Sequence, residues 1–239
     1  MGIVVKGLTK KYKDVTAVDN LELTVNDGEL FALLGINGAG KTTAIKMLCG
    51  LTKADEGCAY IMGRSIEDAE IKKLIAISPQ ETAVAPNLTV LENLQLICGA
   101  YGFANEKTAE KSEEMLQKLS LTAVSGKRAS KLSGGYMRRL SIAMALISEP
   151  KVLFLDEPTL GLDVIARAEL WELIEKLKGK MTVVLTTHYM EEAEKLSDRV
   201  GIMKAGRLIA VGTAAELCEK TGSEKFEDAF VRIVKGAEI

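Results

Sequence analysis

No uncharged apolar run in the chain approaches the ~18–20 residues that a membrane-spanning helix needs, so none is expected. The opening Met1-Gly2-Ile3-Val4-Val5-Lys6 lacks the apolar core of a secretory leader. An excess of one charge sign is missing too. Lys and Arg total 31 against 33 Asp and Glu, and a formal charge of −2 gives no field to recruit nucleic acid, which is not expected as a partner. Cysteine is sparse. Cys49, Cys58, Cys98 and Cys218 show no metal-ligand spacing, and three lie in apolar stretches, which suits buried thiols in a reducing cytosol. There is no internal repeat, low-complexity tract or long linker. What is plentiful is core material, since 47% hydrophobic content over 239 residues supports one α/β core with room for a small subdomain.

The texture changes along the chain. Short β-rich runs (Ile3–Val5, Leu21–Val25, Leu30–Leu34, Ala59–Ile61) crowd the first sixty residues, and an apolar strand is expected over Leu74–Ser78. Helical periodicity then dominates from about Leu88 to Ile147. Thr89 precedes the stripe Val90, Leu91, Leu94 and Ile97, and Lys107–Leu119 reads as a charged amphipathic helix. After Pro150, strand and helix alternate again through Val152–Leu155, Val164–Leu177, Met181–Thr186 and Met190–Leu196. The expectation is a single domain of the α/β class. Its core spans 1–86 and 150–220, with an N-terminal antiparallel β subdomain, a mixed or parallel sheet, an inserted helical subdomain at 87–149 and a tail at 221–239.

Gly35-Ile36-Asn37-Gly38-Ala39-Gly40-Lys41-Thr42 has the form G-x4-G-K-T, with the apolar strand Leu30–Leu34 before it and a helix start at Thr43–Leu48 after it. Strand, glycine loop and helix is the order of a phosphate-binding loop. Its glycines let successive N–H groups turn toward phosphate oxygens, and the helix adds its positive end. Lys41 is expected at the β- and γ-phosphates, Thr42 on Mg2+ and Thr43 on the α-phosphate side, which makes Mg2+ and the phosphate chain of a nucleotide, ATP in the family resembled below, the expected ligands. A second acidic element follows the buried run Val152-Leu153-Phe154-Leu155. Asp156 suits a hard cation held partly through water, and Glu157, one residue further, suits the orientation or deprotonation of an attacking water.

With Leu132-Ser133-Gly134-Gly135-Tyr136 added, the chain resembles the ATPase subunit of ATP-binding cassette transporters, from about Tyr12 to Gly212. Tyr136 stands where Gln is commoner in that signature; Ser133, Gly134 and Gly135 are intact. Ser133 is expected to cap a helix so that hydroxyl, glycine N–H groups and helix dipole converge on one anion. The resemblance further implies that Gln80 contacts magnesium and the attacking water while its loop senses the transport partner. It implies that Gly161-Leu162-Asp163 carries signals across a dimer, that His188, the sole histidine, bonds the γ-phosphate, and that Tyr12 stacks on adenine. Thr52-Lys53-Ala54-Asp55 has the form of a guanine-reading motif, but it begins ten residues after Thr42 and is read as a polar loop.

One phosphate loop and one signature in a single chain imply, by the same resemblance, two subunits packed head to tail. The second copy is either identical or a close relative, and the signature of each closes the other's site. The resemblance also implies a separate transmembrane permease, with the chain cytoplasmic and held at the inner membrane face through it. The tail Phe226–Val234 resembles the exporter subfamily for drugs, lipids, polysaccharides or ions. The alternative is a cassette ATPase that mechanically regulates a membrane or cell-wall partner without transporting a substrate.

Overall fold

In the computed structural model, which describes residues 1–236, the chain begins with strands β1 (Ile3–Tyr12), β2 (Val15–Val25) and β3 (Leu30–Leu34), helix α1 (Lys41–Leu48), and strands β4 (Glu56–Ile61), β5 (Arg64–Ser65) and β6 (Ile75–Ser78). Three helices follow, α2 (Val90–Ala100), α3 (Asn105–Lys118) and α4 (Gly134–Leu146), and then β7 (Val152–Asp156) and α5 (Val164–Glu175). The chain continues through β8 (Thr182–Thr187), α6 (Met190–Leu196), β9 (Arg199–Lys204), β10 (Arg207–Gly212), α7 (Ala214–Thr221) and α8 (Phe226–Lys235). The expected tail at 221–239 is therefore largely helix, with its last three positions outside the described residues.

These elements form two compact units, one from Met1–Lys72 with the residues from Lys178 onward, the other from Lys73–Leu177. The first holds a four-stranded antiparallel sheet, β2-β1-β4-β5, and a mixed sheet in which β10 runs antiparallel to β9 while β9, β3 and β8 are parallel. Every residue of β3 and of β8 is buried. This is what covering both faces of a parallel sheet demands, and it is why unbroken apolar runs mark these strands. β1 and β2 are longer than their apolar cores suggest. Their outer halves are only partly buried and carry exposed residues such as Lys11, Thr16 and Asn20, and their register shifts at Val5/Leu8, Leu8/Lys10 and Lys10/Lys11.

The second unit pairs β6 with β7 in parallel and carries α2 to α5. Thr89 caps α2 with a full capping box: its hydroxyl accepts from Glu92 N–H, and Glu92 accepts from Thr89 N–H at 2.7 Å. Val90 and Leu94 of the expected stripe are buried, while Leu91 and Ile97 are half-buried; Asn93 and Cys98 complete the inward face. Of the three cysteines expected to be buried, two are. Cys49 and Cys98 are buried, but Cys58 lies exposed on β4 and Cys218 is half-exposed on α7, because short apolar neighbours on an edge strand or a surface helix do not guarantee burial. Among the described residues no helix is long and apolar enough to cross a membrane.

Candidate nucleotide site

In the first unit, Leu34 of β3 lies in register with Thr187 of β8, and Gly35 N–H donates to Thr187 O at 3.3 Å. The glycine loop and His188 therefore leave the carboxyl ends of neighbouring parallel strands, where ligand crevices form in such sheets. The loop closes tightly. Ala39 N–H donates to Ile36 O (3.1 Å), and the first bond of α1 runs from Ala44 N–H to Gly40 O (2.9 Å), so the preceding N–H groups point out of the helix start. Asn37 and Gly38 are exposed at the loop crest, Ala39 is buried beneath them, and Thr42 and Thr43 are half-buried on the first turn. Lys41 arches over the loop, its Nζ donating to Gly35 O at 2.7 Å and Ile36 O at 3.3 Å.

Two glycines are required here by space. A Cβ on Gly35 would stand 2.5 Å from Met203 O, and one on Gly40 would stand 2.3 Å from Ala17 O, with φ at +100° besides. The neighbours they approach had no motif to announce them. β9 and β10 are joined by Ala205-Gly206, both at positive φ, a two-residue turn of the twist-matched kind. Gly206 N–H donates to Ala39 O (3.0 Å) and Gly206 O accepts from Asp19 N–H (2.9 Å), so this hairpin buttresses the phosphate loop from behind. A dipeptide suited to a turn between two short apolar runs was the available signal.

Tyr12 ends β1, opposite Val15, and is 47% exposed with Lys10 Nζ 5.4 Å from its ring centroid. Val15 is two residues, about 7 Å of strand, from the Ala17 carbonyl that meets Gly40, so the tyrosine stands near the loop with its face accessible. His188 is half-buried and its ring tilts against Tyr189, centroids 4.1 Å apart. Thr52–Asp55 is a loop, as expected: Asp55 accepts from Lys11 N–H (2.7 Å) and Lys10 Nζ (2.9 Å), and these bonds, the backbone one first, hold its carboxyl below the usual range.

In the second unit, Ser78 of β6 and Leu155 of β7 are in register, and two residues further on each strand come Gln80 and Glu157. Both thus emerge at one sheet edge. Asp156, the last residue of β7, is 3% exposed, and Glu157 is 6% exposed with φ at +48°, a left-handed conformation uncommon for a long side chain. Gln80 is exposed, and its carbonyl accepts from Arg138 Nη2 at 2.9 Å. Ser133 takes N-cap geometry on α4, but its hydroxyl makes no capping bond; helix initiation rests on the backbone, with Met137 N–H donating to Ser133 O at 2.9 Å. Ser133 and Gly134 are exposed, and Gly135 is buried, a Cβ there standing 3.1 Å from the Ala166 methyl. Asp163 caps α5 as expected, accepting from Ala166 N–H at 2.9 Å, so Gly161–Asp163 and the signature lie side by side.

Sequence reasoning missed Arg138 and Asn93. Each is a polar residue within a buried helix face, which is the signal that could have found them.

The family model for ABC transporters matches residues 18–160. The human phospholipid-transporting ATPase ABCA3 is 42% identical over 228 residues, which are 93% of this chain but only 13% of that protein. The daunorubicin resistance ATP-binding protein DrrA3 of Streptomyces coeruleorubidus is 40% identical, covering 94% of this chain and 72% of that one. Among solved structures, an ATP-binding subunit of an ABC transporter superposes with a TM-score of 0.85 at 28% identity, covering 98% of this chain and 99% of that one. An ATP-binding cassette solved as a dimer in a post-hydrolysis state with ADP and Pi gives 0.80 at 28% identity, covering 88% and 98%. The family model, the curated relatives and the solved cassettes agree: the chain belongs to the ABC transporter family, as an ATP-hydrolysing cassette.

Proposed function

We propose that this cassette powers a separate transmembrane permease of the exporter type, by closing head to tail on a second cassette when ATP binds. The observation that carries the reading is the coexistence, in one chain, of one phosphate loop and one exposed serine-glycine helix start whose hydroxyl is not used for capping. A helix start of that kind is an anion site looking for an anion. The γ-phosphate bound by the other copy's loop supplies it, and ADP does not. Differential contact with ATP is therefore what closes the dimer, and hydrolysis is what opens it. The resistance and phospholipid-transport names of the relatives support an exporter, and the dimeric cassette supports the pairing.

Within each composite site, Asn37, Gly38, Ala39, Gly40, Lys41, Thr42 and Thr43 hold the phosphates, Tyr12 stacks on adenine, and Ser133, Gly134 and Gly135 reach the γ-phosphate of the opposite copy. Glu157 orients and deprotonates water, His188 bonds the γ-phosphate, and Gln80 contacts both metal and water. The donors proposed for Mg2+ are a hydroxyl (Thr42), a carboxylate (Asp156) and a carboxamide (Gln80), all hard oxygens of the kind this ion prefers. An ion held there would supply positive charge against the phosphates. The cassette works at the cytoplasmic membrane face through the permease.

Affinity purification of the tagged chain from solubilised membranes in ATP and Mg2+ tests the partner. A multi-spanning protein in fixed ratio is expected; recovery of the chain from membranes without one would overturn the separate-permease reading.

A further inference from the structure

After Ser78 the chain leaves β6, and the carbonyls of Pro79 and Gln80 must find donors outside the strand ladder. A single side chain supplies both. Arg138 Nη1 donates to Pro79 O at 2.7 Å, and Arg138 Nη2 donates to Gln80 O at 2.9 Å. Two nitrogens of one rigid plane on consecutive carbonyls fix the orientation of the intervening peptide as well as its position, which a point charge on a flexible stem cannot do. Arg138 as a residue is 6% exposed, so the bonds are largely shielded from competing water. Three residues on, on the same helix face, Ser141 Oγ meets Ser78 Oγ at 2.8 Å.

The far end of the loop is tied as firmly. Asn93 Oδ1 accepts from Ala85 N–H (2.8 Å), and its Nδ2 donates to Ala85 O (3.1 Å) and Thr89 O (2.9 Å). Ala129 N–H donates to Leu88 O (2.8 Å), and Ser130 N–H donates to Pro86 O (2.9 Å). The loop 79–88 is thus gripped by Ala129 and Ser130 on one side of Ser133 and by Arg138 on the other, with Ser141 fixing the strand end before it. Gln80, though its carbonyl is held, stays exposed, as does Glu81 between the grips.

We propose that Arg138 is a positioning residue of the ATPase site: its fork sets the main chain of Gln80 in register with the helix that presents Ser133–Gly135, so that displacing the loop displaces the signature. This rests on the roles proposed for Gln80 and Ser133 and names the side chain that joins them.

The test compares Arg138→Met, Arg138→Lys, Gln80→Ala and the double variant Arg138→Met/Gln80→Ala in the full chain, reading kcat, the affinity for a fluorescent ATP analogue and amide hydrogen exchange. Arg138→Met should lower kcat roughly tenfold or more through loss of two charge-assisted bonds, with nucleotide affinity within about twofold of wild type. Arg138→Lys, which keeps charge without the fork, should fall between and guards against a folding defect in the methionine variant. Because the arginine acts through Gln80, the double variant should be no slower than Gln80→Ala alone. Exchange should quicken over 80–85 and stay unchanged over 90–100. Multiplying rate effects, or unchanged exchange at 80–85, would overturn the proposal. Wild-type turnover in Gln80→Ala would instead overturn the role given to Gln80, and with it the catalytic part of the proposal, even if exchange showed the clamp to be real.

Discussion

Glu157 holds a left-handed backbone at φ +48° with its side chain almost fully buried, directly after a strand that is buried throughout. Such a conformation costs on the order of 1–3 kcal/mol and persists only where the surroundings enforce it, which is typical of residues aimed at a reacting atom. Glu157→Gln keeps the shape and the hydrogen-bonding ends while removing the base. Hydrolysis should fall by about a hundredfold or more, with ATP binding retained. Single-turnover phosphate release beside nucleotide titration checks both halves, and near wild-type turnover would reduce Glu157 to a structural residue. Lys41→Ala acts earlier. It removes the cation at the phosphate loop and should weaken nucleotide binding itself, which the same titration reads. The thiols give a residue-scale check independent of catalysis. Exposed Cys58 should be alkylated first, and Cys98 last, since burial pushes its thiol up in pKa and leaves little thiolate to react. Mass spectrometry of a labelling time course orders them.

The elements were legible where both faces are covered. Leu30–Leu34, Val152–Leu155 and Met181–Thr186 are runs without a polar outer face, and each is a strand within one residue of its expected limits. The candidate site residues carried by their ends could be named for the same reason, because a motif gains meaning from a recognisable strand in front of it. β9 and β10 were not marked, although their turn supports the phosphate loop. Arg199–Lys204 is interrupted by Gly201, and Arg207–Gly212 is only partly buried, so neither shows a clean period. The outer halves of β1 and β2 escaped because lysines, Asp19 and Asn20 occupy a half-solvated surface. Arg138 and Asn93 escaped because their partners are backbone groups, which no sequence pattern names. At this scale the α2 capping box makes a pH prediction. The N–H and hydroxyl of Thr89 hold the Glu92 carboxyl below its usual range, so the carboxylate contributes stability above its unfolded pKa, and that contribution is lost as pH falls through the depressed folded value. Denaturant unfolding monitored by circular dichroism should therefore show Glu92→Gln less stable than the wild type at neutral pH, with the difference shrinking as pH falls, and an unchanged neutral-pH stability would show that the box adds nothing.

At the scale of the whole molecule, the decisive question is whether Ser133 serves its own chain's nucleotide or another's. Ser133→Arg places a bulky cation where the opposing γ-phosphate is proposed to sit. Each chain should still bind ATP, because the residues of its own phosphate loop are untouched, yet closure should fail. Size-exclusion chromatography with ATP separates the cases. Glu157→Gln alone should run as a dimer, and Glu157→Gln with Ser133→Arg as a monomer of equal nucleotide affinity. Mixed pairs sharpen the argument. When a Ser133→Arg chain meets a Lys41→Ala chain, head-to-tail packing gathers both lesions into one composite site and leaves the other built from two intact halves, so the mixture should recover ATPase activity that neither variant shows alone. If each signature instead served its own chain, every site in the mixture would carry a lesion and no recovery would appear. Dimerisation of the doubly substituted protein as readily as Glu157→Gln alone would equally remove the head-to-tail model, because the substituted serine would then not lie between the two cassettes.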